Sequence, residues 1–322
     1  MSTRTDSTLL DAAPARPLPA WIPPLVGVAA AIVGLLPWLL TGMRLPLQNL
    51  WATETLPEDM PIVLLPFSQY SLSLVAALLV TGAAAAGLAA RALRPRMPRG
   101  GALATFAGLL ATQVVAAVQT SVVVRDGLDP DRTASDLYFA AVLGVVVLSI
   151  LVAALVFWLV AAAPRAGALI GMSIGAVVFV PWFSALLIPR GSIPPAWLVT
   201  VANQASWIVP AALVGLAIAW CGLRTAGRIV AAVASLALLW VGPALITGVT
   251  SAAGTRVLAN SPADMVAYAV EVTRMALFLP ELALPPIALA VAVAIGGLVV
   301  RRSRARSTGG SARRTPPAPP SP

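Results

Sequence analysis

The sequence predicts an all-α integral membrane protein, built as a bundle of eight transmembrane helices. Of its 322 residues, 59% are hydrophobic and only 10% are charged, whereas about a quarter of the residues in a soluble domain are charged. The apolar residues also fall in runs of about twenty, the length that crosses a bilayer core of roughly 30 Å. These two observations exclude a soluble globular protein.

A transmembrane domain over residues 21–300 is expected between two polar tails. Residues 1–20 and the Arg/Pro-rich residues 301–322 have the composition of disordered segments. The region after residue 40 offers no convincing signal-peptide cleavage site, so the first apolar run is expected to be a retained helix. The predicted spans lie near residues 21–40, 70–90, 101–124, 139–163, 168–188, 201–222, 229–250 and 280–300.

One further helix is predicted near residues 262–276, before the last span. Ser261 is a favourable N-cap, Pro262 suits the first helical position, and Asp264 complements the positive end of the helix dipole. Because charged and apolar residues separate onto two sides of this segment, we expect it to lie flat on the outer surface of the membrane.

The arginines predict the orientation, since basic residues concentrate on the cytoplasmic side of membrane proteins. With both termini cytoplasmic, fifteen of the 21 basic residues, all of them arginine, fall in inner segments and six in outer ones, while ten of the twelve acids fall outside. We therefore predict a multi-pass protein of the cell membrane with both ends in the cytoplasm. The formal charge of +9 then indicates contact with anionic lipid headgroups, above all at the C-terminal arginines, and not with nucleic acid.

Weak internal similarity suggests that the two halves of the domain are parallel repeats. Pro37-Trp38 in the first span resembles Pro181-Trp182 in the fifth, and Ser68-Gln69 before the second resembles Asn203-Gln204 in the sixth. Four spans separate the members of each pair, so both halves would have the same orientation, as in some transporter families. Alanine and leucine are so frequent here that chance similarity is an equal alternative.

Polar side chains recur along the third span and near the outer end of the sixth. Polar groups within a membrane are expected to face the bundle interior, where they either bond neighbouring helices together or line a path for a solute. The first interpretation is favoured for the third span. The candidate path residues are Gln69, Thr112, Gln113, Gln119, Asn203, Gln204 and Ser206.

Gly167, Gly171 and Gly175 recur every four residues in the fifth span. Such spacing gives one smooth helix face against which another backbone can pack closely. Residues 171–175 also match G-x-S-x-G, but the nucleophile that this motif marks in hydrolases needs a strand–turn–helix setting and a histidine partner. A packing role is therefore predicted for the three glycines.

The sequence lacks the residues that several kinds of chemistry need. The chain has no histidine, and its single cysteine, Cys221, cannot form an internal disulfide. No charged residue lies at the centre of a span, which argues against an ion-coupled pump. We expect no cofactor, no metal site and no enzymatic activity.

Three functions stay open on this reading. The preferred one is a permease for a small neutral or amphiphilic compound, with the polar residues of the second, third and sixth spans lining its path. The first alternative is a non-catalytic scaffold or accessory subunit bound to another membrane protein. The second is an outward-facing transferase acting on a lipid-linked substrate with carboxylates of the outer loops, which are Glu54, Glu58, Asp59, Asp126, Asp129, Asp131 and Asp136.

Overall fold

The computed structural model describes residues 17–189, 192–255 and 261–311, and for 305–311 the backbone alone. Within these ranges the chain forms nine α-helices and no β-strand. The helices are α1 Ile22–Leu40, α2 Leu72–Leu93, α3 Gly101–Gly127, α4 Thr133–Ala161, α5 Arg165–Leu187, α6 Ala196–Cys221, α7 Ala226–Gly254, α8 Pro262–Phe278 and α9 Pro280–Ser311.

Eight of these helices are long and apolar enough to span a membrane, and they are the eight predicted from the sequence. The protein is therefore an all-α, multi-pass membrane bundle. The largest differences are at the ends of the domain. Helix α9 runs on through 301–311, which had been expected to be disordered, and Leu18 donates its backbone N–H to the Arg96 oxygen, 2.8 Å away, so residues 17–20 are ordered too. The rest of both predicted tails, 1–16 and 312–322, lies outside the described residues.

The bundle has two different faces. The loop face carries the connections that follow α1, α3, α5 and α7. The basic face carries the connections that follow α2, α4 and α6, the start of α1 and the end of α9. No acidic side chain lies at the basic face in the described part of the chain. Ten arginines with described side chains do: Arg91, Arg94, Arg96, Arg99, Arg165, Arg224, Arg228, Arg301, Arg302 and Arg304.

The two halves of the bundle use the same helix pairings. In the first half α1 packs against α2 and α3, and α2 packs against α4. In the second half α5 packs against α6 and α7, and α6 packs against α9. In each half the first and last spanning helices make no extensive contact. The arrangement is that of two parallel four-helix repeats, with α8 inserted into the second.

Glycines in α2 and α6 show how the two repeats correspond. A Cβ on Gly87 of α2 would lie 2.9 Å from the Val160 Cβ of α4, and a Cβ on Gly215 of α6 would lie 2.6 Å from the Ala290 oxygen of α9. These glycines are 128 positions apart, whereas Gln69 and Gln204 are 135 apart. Pairing these two glycines therefore gives a correspondence seven positions away from the Gln69–Gln204 match, which is about two helical turns.

The first half carries an ordered cap on the loop face, made by the connection between α1 and α2. Its apolar side chains Leu45, Met60, Val63, Leu65 and Phe67 are almost fully buried. Antiparallel bridges join Arg44 to Ile62 and Trp51 to Leu128. This connection is therefore a packed layer over the ends of α1 to α4, although it contains four prolines.

Helix α8 does not lie flat on the surface as expected from the sequence. Trp240 near the middle of α7 donates its indole N–H to the Leu277 oxygen at 3.0 Å, and Gly248 of α7 lies against Ala269 and Thr273 of α8. Helix α8 therefore runs back along the half of α7 nearest the loop face, and only Leu279 separates it from α9. The small side chains at Gly248 and Ala269 permit this close approach, which amphipathicity alone does not reveal.

Candidate functional site

Gln113 lies in the packed interior of the first half and faces a neighbouring helix. It is 4% exposed, and its Nε2 donates to the Leu79 oxygen of α2 at 2.9 Å. A buried amide bonded in this way links α3 to α2. The geometry around Gln113 is that of helix packing rather than of a solute path.

Gln119 and Thr120 fasten the cap to α3. The Leu64 N–H donates to Gln119 Oε1 at 2.9 Å, and Gln119 Nε2 donates to the Ile62 oxygen at 3.0 Å. The next amide, that of Leu65, donates to Thr120 Oγ1 at 2.9 Å. Gln119 and Thr120 thus satisfy backbone groups of the loop that its bridge to Arg44 leaves unpaired.

The threonines of α3 bond within their own helix. Thr112 donates to the Gly108 oxygen and Thr105 to the Gly101 oxygen, both at 3.0 Å. This i to i−4 bond is the ordinary way for a threonine to satisfy its hydroxyl inside an apolar helix. Neither hydroxyl is directed at another polar group of the predicted path.

The polar residues of α6 lie on the outside of the bundle. Asn203, Gln204 and Ser206 are all exposed. Ser206 Oγ donates to the Asn203 oxygen at 2.7 Å, and Gln204 Oε1 accepts the indole N–H of Trp207 at 2.8 Å. The structure therefore separates these three residues from the buried amide of Gln113 and does not bring the predicted path together.

Gln69, the remaining candidate, lines a small pocket on the loop face. The pocket also contains Gln48 and Tyr138, with Ser68 and Tyr70 at its edge. Its volume is about 50 Å³, which is room for a few waters, whereas sites for small organic ligands measure about 300–1,000 Å³. In this conformation the pocket is too small for a solute.

Gln48 is the structural centre of that pocket. Its Nε2 donates to the oxygens of Pro46 and Phe67, both at 2.8 Å, and its Oε1 accepts the Tyr138 hydroxyl at 2.5 Å. The amide thereby joins two parts of the cap to the beginning of α4. Sequence reasoning missed this residue, because Gln48 lies in a proline-rich loop with no periodicity and its partner is 90 positions away.

The three glycines of α5 lie where other helices approach. A Cβ on Gly171 would lie 2.8 Å from the Leu159 Cβ of α4, and one on Gly167 would lie 2.8 Å from the Ala163 Cβ beyond α4. Gly175 lies against Ala84 of α2. Ser173, between them, is buried and donates to the Leu169 oxygen of its own helix at 2.9 Å, so its hydroxyl has no catalytic partner.

Two acidic residues of the loop face pair with arginines, and no metal-binding group is found there in the described part of the chain. Asp136 pairs with Arg125, and Asp129 pairs with Arg132 at 3.0 Å. Among the described residues no three acidic or sulfur side chains are placed to share a metal ion.

The chain matches no protein-family model, no curated protein and no solved structure.

Proposed function

We propose that this multi-pass membrane protein is a non-catalytic scaffold or accessory subunit that binds another membrane protein. The observation that supports this proposal is how the polar side chains of its spans are used. Gln113, Gln119 and Thr120 hold backbone groups of the protein itself, while Asn203 and Gln204 point out of the bundle. A permease would need such groups to converge along one path.

The exposed amides of α6 are the proposed partner-binding surface. Polar side chains within spans rarely face lipid, and normally face a helix, a water-filled cavity or a partner. The side-chain oxygen of Gln204 accepts a hydrogen bond from Trp207, and the two N–H donors of the same amide stay available for a second chain. Asn203 lies beside it with an exposed side chain, and amides of this kind hydrogen-bond across helices in membranes.

A permease is the second candidate, and prolines inside the spanning helices favour it. Pro37, Pro181, Pro210 and Pro243 lie within α1, α5, α6 and α7. Each lacks a backbone donor and weakens its helix locally, as in the broken helices of transporters. A permease would then require a second conformation in which the pocket at Gln69 opens.

The experiment compares complex size for two sets of variants in gently solubilised membranes, by native electrophoresis of the tagged protein. We expect the double variant Asn203→Leu/Gln204→Leu to leave the wild-type complex and run at lower mass, with unchanged thermal stability. The matched control is Thr247→Val, which removes an exposed hydroxyl from α7 that bonds only within its own helix and should leave the complex intact.

Two results would contradict the proposal. One is a wild-type protein that runs as a single chain under every mild detergent tested. The other is a complex whose mass is the same with and without the α6 amides. Purified protein in liposomes that carries a small neutral compound across the bilayer, and loses this activity in Gln69→Leu, would establish the permease instead.

A further inference from the structure

Four arginines from four different helices surround the end of α6 at the basic face. The guanidinium of Arg91 in α2 lies 5.4 Å from the ring centroid of Trp220, and that of Arg165 in α5 lies 6.0 Å from it. Arg301 of α9 donates to the Trp220 backbone oxygen at 2.8 Å, and Arg228 lies near the beginning of α7, seven residues after Cys221. We call Arg91, Arg165, Arg228 and Arg301, with Trp220, the Trp220 cluster.

The charge of the Trp220 cluster has no counterpart in the described part of the protein. Every aspartate and glutamate of the described residues belongs to the loop face, to α8 or to the start of α9. The ion pairs Arg125–Asp136, Arg132–Asp129 and Arg274–Glu271 also lie away from this end of the bundle. The guanidinium groups of Arg91 and Arg165 instead lie against the same indole ring, so two like charges are close together. A bound anion at this position would offset the repulsion between the arginines, which no acidic residue in the described part of the chain offsets.

Two of the four arginines are held in fixed positions. Arg91 Nε donates to the Val160 oxygen at 2.6 Å, and the same guanidinium also bonds the Ala163 oxygen at the end of α4. Arg301 donates to the Trp220 oxygen at 2.8 Å and to the Ala219 oxygen. These bonds order the side chains without neutralising them, and each guanidinium keeps further donors because it carries five N–H groups.

The other two arginines keep all their donors. The guanidinium groups of Arg165 and Arg228 make no hydrogen bond or ion pair with the described residues, and Arg165 is exposed. Ordered donors beside free ones are the arrangement that binds phosphate oxygens well, since guanidinium matches their geometry.

Apolar side chains lie on the membrane side of the Trp220 cluster. Leu88 is one turn before Arg91 on α2 and is 48% exposed, and Leu216 is one turn before Trp220 on α6 and is 56% exposed. Trp220 itself is 39% exposed, at the depth where tryptophan meets lipid headgroups. A ligand that fits both parts has a phosphate at one end and hydrocarbon at the other.

We propose that the Trp220 cluster is a binding site for one anionic phospholipid, whose phosphate contacts the arginines and whose acyl chains follow Leu88 and Leu216. The site lies between the two repeats, because Arg91 belongs to the first and the other members to the second. A lipid bound there would connect the halves at the basic face. This inference is independent of the partner surface on α6.

The test must separate a site from general basicity, because arginines also accumulate on one face simply to orient a membrane protein. The purified protein is reconstituted with equal amounts of phosphatidylglycerol and phosphatidylcholine, and the lipids that it retains are counted by native mass spectrometry. Arg165→Gln/Arg228→Gln is compared with Arg96→Gln/Arg99→Gln, which removes the same charge from the same face but outside the cluster.

We expect the wild type and the control to retain phosphatidylglycerol preferentially, and the cluster variant to lose this preference by about tenfold, as when two charge-assisted contacts are removed. Thermal unfolding of each variant in detergent verifies that it is folded. The proposal is overturned if the two double variants lose the lipid equally or if the wild type shows no preference. It is also overturned if an excess of inorganic phosphate displaces the bound lipid, because the site would then recognise free phosphate.

Discussion

The indole nitrogen of Trp182 donates a hydrogen bond to the backbone oxygen of Gly34, 2.8 Å away, between helices α5 and α1. The two residues are 148 positions apart and belong to different repeats. Trp182 is almost buried, and its ring stacks on Phe179 with the centroids 5.0 Å apart. This bond fastens the first helix of one repeat to the first helix of the other.

Replacing Trp182 by phenylalanine keeps an aromatic ring but removes the N–H donor. We expect a loss of about 0.6 kcal/mol in unfolding free energy, the average for interhelical hydrogen bonds in membranes. Trp182→Ala should cost about 3–5 kcal/mol, because it also leaves a cavity. Unfolding in mixed detergent micelles measures both. Trp207→Phe, at a half-buried tryptophan bonded to Gln204, is the control, and an equal loss there would contradict the prediction.

Thr120→Val tests how α3 holds the cap. Valine has the same shape, but it leaves the N–H of Leu65 without an acceptor, and Leu65 is completely buried. An unsatisfied buried donor costs about 1–3 kcal/mol. We expect faster hydrogen exchange across residues 62–67 and a lower melting temperature.

Thr112→Val is the matched control on the same helix. Its hydroxyl bonds only the Gly108 oxygen one turn back, so we expect a change within about 0.5 kcal/mol and no faster exchange in the cap. Equal exchange rates for the two variants would show that Thr120 does not hold the loop.

Gly215→Leu should separate α6 from α9. The Ala290 oxygen lies 2.6 Å from the position of a Cβ at residue 215, and backbone can move aside only if the whole helix moves. Because α6 is the main partner of α9, we expect strong destabilisation and ready proteolysis of α9. Gly144→Ala in α4 meets no atom within 4 Å, and it should be neutral or stabilising by up to about 1 kcal/mol, since alanine favours a helix. Similar stability of the two variants would contradict this packing.

Cysteine labelling in intact cells tests the predicted orientation. In a Cys221→Ser background, Thr53→Cys on the cap should react with a membrane-impermeant maleimide, and Arg302→Cys at the end of α9 should react only after permeabilisation. The expectation comes from the excess of arginine at the basic face. The opposite labelling pattern would place both termini outside the cell.

The helices could be predicted from the sequence because each span is a continuous apolar run, and the bilayer thickness alone fixes its length. The direction in which a polar side chain points could not be predicted from the sequence. Gln113 and Gln204 lie in similar apolar surroundings along the chain, yet one faces α2 and the other faces outward. Periodicity places a residue on one side of a helix. Which side is buried depends on the helices that pack against it, and these are determined by contacts between segments far apart in the sequence.

The repeat and α8 show the same limit in different ways. The sequence relates the two halves through Gln69 and Gln204, whereas the close approaches at Gly87 and Gly215 relate them with a shift of seven positions. For α8, an amphipathic segment fits a membrane surface as well as it fits a neighbouring helix. The small residues Gly248 and Ala269 favour packing of α8 against α7. They are informative only once α7 and α8 are known to be antiparallel.

The pairing of α2 with α4, and of α6 with α9, also has a consequence for biosynthesis. In each pair the two helices run in the same direction, so a helix of opposite direction must be made and inserted between them. The ribosome therefore delivers α1 to α4, with the cap that α3 holds, before any of α6 exists. Helix α5 packs against both α2 and α4, so the surface that it contacts is already complete in the chain when α5 is made.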